Sequence, residues 1–256
     1  MGGFPLQEES LMHRFYADPS LSDPEHICLS AEDAKHAHTV LRLKPGQLIE
    51  LIYQSSLWEA KIISSDSHEV RVSILRSLPS AEPSLSITLF QGLPKSDKMD
   101  WIVQKATEIG VTRIVPVIME RCVAKTDPKK ESRKSDRWRK IIRESCKQCG
   151  RCVVPELLEP CTLPQLKNVV PMPEINIVSW EETVGYGPCS FCQDHINLSS
   201  LGILIGPEGG IDRKEIEYLR SLGFIPITLG KRILRTETAG LAAVTAILSL
   251  YGEMDS

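Results

Sequence analysis

Hydrophobic and polar residues alternate in short runs along the first third of the chain. Alternation with a period of two predicts half-buried β-strands, and the clearest runs are residues 48–53, 58–63 and 70–75. One helical pattern interrupts them, with Ser30 as a suitable N-cap. Because a closed barrel removes sheet edges in so short a chain, we expect a small β-barrel domain over residues 1–78.

Beyond a Pro-bearing polar stretch at residues 78–83, buried apolar runs alternate with helical patterns. Strands are expected at 86–90, 113–118, 175–179, 203–205 and 224–229, and helices at 98–109, 136–149, after Asp212 and after Thr236. Such alternation is typical of a parallel sheet with helices on both faces. We therefore expect a second, α/β domain over residues 84–256.

Two glycine-bearing loops follow strands of this second domain, at residues 206–210 and 229–235. Open α/β sheets bind ligands at the carboxyl ends of their strands. Each loop also leads into a helix: Asp212 with Glu215 forms a capping-box pattern, and Thr236 can cap the last helix. The alternative is a pair of tight turns that bind nothing.

Composition and charge narrow the possible partners. The 256 residues include 42% apolar and 25% charged residues, with no apolar run near the roughly 18 residues of a membrane span and no signal-peptide pattern. We therefore expect a cytoplasmic protein with reduced thiols. The net charge of −3 conceals a segment, residues 95–151, with 16 Lys and Arg against 8 Asp and Glu. This basic segment favours a nucleic-acid partner, although a solvated helix face would look the same.

Five of the eight cysteines have CxxC spacing: Cys146, Cys149, Cys152, Cys189 and Cys192. Two CxxC pairs can bind zinc, and three such cysteines can indicate an iron–sulfur cluster. However, Cys146 and Cys149 fall within a helical pattern, where this spacing arises easily, and the cluster pattern lacks a fourth ligand. We expect no metal.

The two loops together resemble the signature of one family. Residues 206–210 (Gly-Pro-Glu-Gly-Gly) and 229–239 (Leu-Gly-Lys-Arg-Ile-Leu-Arg-Thr-Glu-Thr-Ala) are similar to the RsmE family of S-adenosylmethionine-dependent uridine N3-methyltransferases of 16S ribosomal RNA. Further similar segments are 95–111, Arg14, His36 with 40–43, and Glu144 with Gln148 and Arg151, so the resemblance covers nearly the whole chain.

This resemblance implies the finer fold and the partners. The RsmE family belongs to the SPOUT superfamily, whose C-terminal half forms a trefoil knot around the methyl donor. Its N-terminal domain resembles the PUA type of RNA-binding barrel. By the same resemblance, the partners would be 16S ribosomal RNA of the small subunit and a second copy of the chain in a homodimer, without a membrane or a metal.

The resemblance also implies site residues, with S-adenosylmethionine as the cofactor. The donor would be bound by Leu204, Ile205, Gly206, Pro207, Glu208, Gly209, Leu229, Gly230, Ile233, Leu234 and Thr236, and the RNA by Arg14, His36, Arg42, Lys95 and Lys98. Several of these have a structural alternative. Glu208 can serve the dipole of the next helix, His36 can be an ordinary surface histidine, and the aromatic residues beside Arg14 can face the barrel core.

Arg235 is the expected catalytic residue. A cation at the start of a helix is poorly placed for the helix dipole, which indicates a ligand or an RNA partner. N3 of uridine is largely protonated at neutral pH, and a cation near the uracil carbonyls would stabilise the anion that forms. The sequence offers no evident catalytic base.

Two other functions remain open at this point. One is a non-enzymatic RNA-binding or ribosome-assembly protein with a degenerate donor site. The other is a phosphate- or nucleotide-binding enzyme that uses residues 206–210 as its cradle. The loop lacks both the Gly-Lys-Ser/Thr ending of a P-loop and the spacing of a dinucleotide fingerprint, which argues against the second.

Overall fold

The structure is a computed structural model. It describes residues 12–18, 20, 27–66, 68–95, 97–122, 128–169 and 171–255, with only the backbone described at 128–132. The chain divides into two compact units, residues 1–81 and 82–256. Each unit has its own sheet and core.

The first unit contains a five-stranded sheet. Its elements are β1 (Arg14–Tyr16), β2 (Ile27–Cys28), α1 (Ala31–Lys35), a π-helical turn (His36–Val40), β3 (Leu48–Tyr53), β4 (Ser56–Ser65) and β5 (Val70–Ser77). The strand order is β1-β3-β4-β5-β2, with β1 parallel to β3 and the other pairs antiparallel. The two outer strands are also linked, because Asp18 N–H donates to Cys28 O (2.8 Å) and Ser30 N–H to Tyr16 O (2.9 Å).

The core of this unit follows the alternation along the strands. Phe15 is 2% exposed and packs with Leu29, Ile49 and Leu51. The aromatic residue next to Arg14 therefore serves the core, as the structural alternative expected. Ser30 is confirmed as the N-cap of α1, since its hydroxyl accepts a hydrogen bond from the Asp33 amide at 3.2 Å.

The second unit contains a parallel sheet between helices. Its elements are β6 (Ser86–Gly92), α2 (Lys98–Ile109), β7 (Arg113–Ile118), α3 (Pro128–Cys149), β8 (Glu156–Leu157), β9 (Cys161–Thr162), a 3₁₀ helix (Leu163–Asn168), β10 (Ile175–Ser179), α4 (Pro188–Asp194), β11 (Ser200–Ile205), α5 (Arg213–Ser221), β12 (Phe224–Ile227) and α6 (Thr236–Leu250). The order is β12-β10-β11-β6-β7-β8, and β9 also pairs with β7. Every pair is parallel, which confirms the expected α/β fold.

Several elements differ from the sequence prediction: β4, β5, β6 and β11, for example, are longer than their predicted ranges. β12 ends at Ile227, two residues early, because the amide of Thr228 leaves the sheet to donate to Tyr186 O at 2.9 Å. α3 begins at Pro128, a residue whose missing N–H suits the first turn of a helix. α4 occupies residues for which the sequence pattern predicted no helix.

Each face of the sheet buries a different set of helices. Phe90, Val178 and Leu204 point to the face that packs on the 3₁₀ helix and α5. On the other face, α6 packs against β6 and β11 and α2 packs against α6. Successive residues of a strand point to opposite faces, so Leu204 and Ile205 belong to different layers.

A buried ion pair closes the end of α3. Arg151 is 3% exposed and donates to Glu82 Oε2 through Nε (3.0 Å) and Nη2 (2.7 Å), and through Nη1 to the carbonyls of Thr107 (3.0 Å) and Val111 (2.6 Å). Glu82 Oε1 accepts the amides of Cys152 and Val153 at 2.7 and 2.9 Å. The helix-end residue Arg151 thus holds α2, the start of β6 and the turn after α3 together.

None of the helices that the structure describes combines the length and the hydrophobicity of a membrane span.

Candidate functional site

The carboxyl ends of three neighbouring strands, β10, β11 and β12, meet at one edge of the sheet. The loops that follow them enclose a cleft of about 750 Å³. Its lining comes mainly from residues 179–185, 205–211 and 228–236, with Lys98 and Ala239 beside them. Ligand sites of open α/β sheets lie at such an edge, and pockets of this size hold nucleoside-sized molecules.

A buried hydrogen-bond chain joins two of these loops. Thr236 Oγ1 donates to Gly206 O at 2.6 Å and accepts from Gln91 Nε2 at 2.9 Å. The expectation that Thr236 caps α6 is wrong, since Arg235 is the N-cap and Thr236 is the first helical residue. Its hydroxyl instead fixes the start of α6 to the loop after β11.

Three positions around these loops require glycine, two because a side chain would clash and one because of its backbone conformation. A Cβ on Gly206 would lie 2.5 Å from Ile211 Cγ1, and one on Gly92 would lie 2.6 Å from Pro207 N. Gly230 has open space around it but a φ of +101°, a conformation that other residues adopt only with strain. The cleft therefore needs glycine at 206 and 92 for packing and at 230 for backbone conformation.

An ion-pair cluster flanks the cleft. Lys98 Nζ lies 3.1 Å from Glu208 Oε1 and 3.2 Å from Glu237 Oε2. The hydrogen bond to Glu208 raises the pKa of the Lys98 ammonium. Burial opposes ionisation of Glu208, but backbone amides, including that of Lys95 (3.0 Å), and Lys98 together lower the pKa of its carboxyl. Burial also opposes ionisation of Glu237, but its own backbone amide and Lys98 lower the pKa of its carboxyl, so both carboxylates are held ionised. Glu208 ties its loop to the start of α2.

Arg121 holds the other side of the same loop. Its Nη1 donates to Gly209 O at 3.0 Å, and its Nη2 lies 3.1 Å from Asp212 Oδ2. Asp212 is confirmed as the N-cap of α5, with the predicted capping box to Glu215. The loop at 206–210 is therefore positioned from both sides.

The structure brings most of the predicted donor-site residues to the cleft. The cleft is lined by Ile205, Gly206, Pro207, Glu208, Gly209, Leu229, Gly230, Ile233, Leu234 and Thr236. The predicted catalytic residue, Arg235, lines it as well. Leu204 does not, because it is fully buried in the layer under α5. The roles of the lining residues stay predictions.

The loop after β10 forms a third wall of the cleft, which the sequence pattern did not predict. This loop reaches the cleft because β10 lies between β12 and β11 in the sheet. Its lining residues are Trp180, Glu181, Thr183, Val184 and Gly185. The rule that ligands bind at carboxyl ends of strands would have found this loop if it had been applied to every predicted strand.

The backbone of Arg235 is fixed by hydrogen bonds, whereas its side chain extends into the cleft. Its carbonyl accepts the amides of Thr238 (2.9 Å) and Ala239 (2.8 Å), which fixes it at the first turn of α6. Its side chain is exposed, lines the cleft and forms no hydrogen bond or ion pair with a described residue. The guanidinium is thus available to a ligand.

The residues predicted to contact RNA have unequal surroundings. Arg14 pairs with Glu50, with 2.6 Å between Nη2 and Oε2. His36 is exposed, with its ring 6.5 Å from that of Phe15. Arg42 is exposed at a φ of +53° and pairs with no side chain that the structure describes. Lys95 binds the Glu208 carboxylate through its amide, and Lys98 through its ammonium.

The cysteines lie apart from this cleft. Cys146 and Cys149 are on α3, and Cys189 and Cys192 are on α4. Burial raises the pKa of the Cys146 thiol to about 12 and that of Cys192 to about 11. Within the described ranges, no three His, Cys, Asp or Glu side chains converge as metal ligands.

Comparisons with known proteins agree with this geometry. The profile of an RNA methyltransferase domain matches residues 81–248, and that of an RNA methyltransferase PUA domain matches residues 29–75. The chain is 32% identical to ribosomal RNA small subunit methyltransferase E of Bacillus subtilis, over 92% of this chain and 96% of that protein.

Solved structures give the same result. Ribosomal RNA small subunit methyltransferase E from Neisseria gonorrhoeae, bound to S-adenosyl methionine, is 32% identical with a TM-score of 0.77, over 94% of this chain and 98% of that one. A methyltransferase from Legionella pneumophila, solved with bound SAM, is 31% identical with a TM-score of 0.77, over 93% and 97% of the two chains.

The parallel sheet, the glycine-bearing cleft and the matched domain define an RNA methyltransferase fold. More narrowly, the chain belongs to the RsmE family, the ribosomal RNA small subunit methyltransferases E.

The cleft fits S-adenosylmethionine by its own chemistry. Val184 and Ile233 are 91% and 89% exposed at its wall, which gives an adenine ring apolar surface to cover. Gly230 leaves open space beside the cleft. Polar groups, among them Glu181 and the backbone of the glycine loops, can fix the orientation of a nucleoside.

Proposed function

We propose that this chain methylates N3 of a uridine in 16S ribosomal RNA. As a member of the RsmE family, it is an S-adenosylmethionine-dependent methyltransferase of small-subunit ribosomal RNA. The observation that carries the proposal is the cleft at the ends of β10, β11 and β12, which combines the donor-sized space with the exposed Arg235.

The finer fold in this proposal is a SPOUT knot over residues 84–256. Its support is topological: β12 lies beyond β10, yet α6, which follows it, packs on β6 and β11. The chain must therefore cross back over the carboxyl ends of the strands, and the bond from Thr236 to Gly206 lies at that crossing. We propose that α6 threads the loop between β11 and β12.

The same proposal makes residues 1–78 a closed PUA-type barrel that binds RNA. The PUA domain match covers residues 29–75. The hydrogen bonds from Asp18 to Cys28 and from Ser30 to Tyr16 join the first and last strands of the sheet, as barrel closure requires.

In the proposed donor site, the loops at 205–211 and 228–236 hold S-adenosylmethionine. When bound, the donor supplies an activated methyl group on its sulfonium. The protein's contribution is to position the two reactants in line, which alone can supply much of the acceleration. Thr236, Lys98 and Arg121 keep the loops in place, through Gly206, Glu208 and Gly209 respectively.

The proposed role of Arg235 is to stabilise negative charge on the uracil ring as N3 loses its proton. Its side chain is unpaired among the described residues and points to solvent at the cleft. A cation already fixed where charge develops contributes without reorganisation during the reaction.

The proposed partners are the small ribosomal subunit and a second copy of the chain, in the cytoplasm where ribosomes are assembled. The basic segment 95–151 supports RNA binding, since Arg133, Lys134, Lys140 and Arg143 are exposed on α3. The proposal of a homodimer comes from the SPOUT superfamily, whose members dimerise through the knotted domain.

Calorimetry distinguishes this function from its rivals. We expect the purified protein to bind S-adenosylmethionine and not ATP. Binding of ATP alone would favour a nucleotide-dependent enzyme. Binding of RNA without either small molecule would favour an assembly factor with a degenerate cleft.

Gly230→Val is the cleanest test of the donor loops. A β-branched residue at a φ of +101° strains the loop, so we expect a loss of S-adenosylmethionine affinity of at least tenfold, with folding preserved because Gly230 is exposed. Gly206→Val is less suitable, since it would push the buried Ile211. Gly223→Val, at an exposed glycine with a φ of +87° just after α5 and outside the cleft, is a matched strain control. Normal donor binding by Gly230→Val would mean that this loop is only a turn.

Arg42→Asn tests RNA binding by the first unit. Asn tolerates positive φ, so the change removes the charge without adding backbone strain. If Arg42 contacts a phosphate, the slope of log K against log salt should flatten by about 0.7 to 0.9 in filter-binding assays. Arg76→Ala is the control, because Arg76 is exposed on the same unit and paired with Glu59. Equal slopes for the wild type and Arg42→Asn would remove Arg42 from the RNA interface.

A further inference from the structure

The turn after β10 carries two adjacent carboxylates with different surroundings. Glu182 pairs with Arg213 at the start of α5, with 3.0 Å between Oε2 and Nη2. Glu181 lines the cleft instead, and its Oε1 lies 3.0 Å from the point where a Cβ on Gly210 would stand. No described residue donates a hydrogen bond to Glu181 or pairs with its charge.

The backbone fixes the position of Glu181. The amide of Trp180 donates to Ile227 O at the end of β12 (3.0 Å), and the amide of Thr183 donates to Trp180 O (3.1 Å). Gly210, on the opposite wall, has a φ of +74° and no side chain, which leaves room for the carboxylate. The turn is thus anchored, and Glu181 faces the cleft from a defined place.

Glu181 differs from Glu208, the other carboxylate of the cleft, in its hydrogen-bond partners. Glu208 already accepts hydrogen bonds from the Lys95 amide and from Lys98. Glu181 has its acceptor positions available within the described structure. Glu181 is exposed and hydrated in the open cleft, and because a carboxylate only accepts hydrogen bonds, a ligand that displaces this water must offer donors in its place.

We propose that Glu181 binds the ribose hydroxyls of the methyl donor. This inference rests on the proposed function, in which the cleft holds S-adenosylmethionine. Two neighbouring hydroxyls are natural donors to one carboxylate, and open α/β sheets use an acidic residue near a strand's carboxyl end to bind ribose in this way. The donor's ammonium and sulfonium are the other groups that a carboxylate would attract.

Calorimetry with three probes separates these possibilities. 5′-Methylthioadenosine carries the ribose and adenine but neither the ammonium nor the sulfonium, and S-adenosylhomocysteine lacks only the sulfonium. For Glu181→Ala we expect all three affinities, including that for S-adenosylmethionine, to fall by a similar factor of about 10 to 100, the usual effect of losing charge-assisted hydrogen bonds. Glu182→Ala, the neighbouring change outside the cleft, should leave all three unchanged.

A ligand change provides an independent check. Removing the 2′-hydroxyl from methylthioadenosine should weaken its binding to the wild type and have much less effect on Glu181→Ala, since the two changes remove the same contact. Unchanged affinity of Glu181→Ala for methylthioadenosine, with weaker S-adenosylmethionine binding, would overturn the ribose assignment in favour of a charged group. Unchanged affinity for all probes would exclude Glu181 as a ligand, whereas a wild type that binds none would refute the donor cleft itself.

Discussion

Arg235→Ala should lower the methylation rate constant at saturating donor and RNA by a factor on the order of 10² to 10³, the loss typical of one oxyanion-hole donor. The exposed guanidinium has no described partner, so its removal leaves no buried charge behind. Affinities for both substrates should change much less, because the interaction strengthens only as the anion forms. Single-turnover kinetics measures the rate constant directly.

Two further variants make this test specific. Arg235→Lys should recover part of the rate, since Lys keeps the charge but not the planar fork. Arg213→Ala removes an exposed arginine from the start of α5, outside the cleft, and should have little effect. In a pH series the deficit of Arg235→Ala should shrink at high pH, where N3 ionises unaided. A defect confined to the donor dissociation constant would make Arg235 a binding residue and end its catalytic assignment.

Arg151→Met should destabilise the second unit by about 3 to 5 kcal/mol, as expected when one partner of a buried ion pair is removed. Arg151 is 3% exposed, and the change would remove the guanidinium that donates to the Glu82 carboxylate and to the carbonyls of Thr107 and Val111. For a unit of this size, the melting temperature should fall by roughly 6 to 20 °C. Denaturant and thermal unfolding followed by circular dichroism measure the change.

A second substitution identifies the cause. Adding Glu82→Gln to Arg151→Met should restore part of the stability, because it removes the negative charge that Arg151 balanced while Oε1 can still accept the amides of Cys152 and Val153. Arg213→Met, which breaks the exposed pair with Glu182, should cost at most about 1 kcal/mol. If Arg151→Met costs no more than this control, the buried pair is not a structural anchor.

Local patterns in the sequence were sufficient to predict most of the second unit. The capping box of Asp212 and Glu215 and the α2 span from Lys98 to Ile109 depend on neighbouring residues, and both are confirmed. The parallel sheet follows from the alternation of strands and helices. The strand order does not, because it depends on long-range pairing that periodicity does not encode.

Two features of the site that the sequence did not predict depend on that order. The loop with Glu181 reaches the cleft only because β10 lies between β12 and β11. Thr236 bonds to Gly206 and Gln91 because α6 crosses back over β11, so its hydroxyl is unavailable as a cap. Leu204 shares a motif with Ile205 but faces the opposite layer, as the pleat of a strand requires.

Mass spectrometry of 16S ribosomal RNA tests most directly whether this chain methylates N3 of a uridine. RNA from cells that lack the gene should contain one unmodified uridine in place of N3-methyluridine. The wild-type gene should restore the modification, and the Gly230→Val gene should restore it poorly. If the N3-methyluridine content of 16S RNA is the same with and without the gene, this chain does not make that modification.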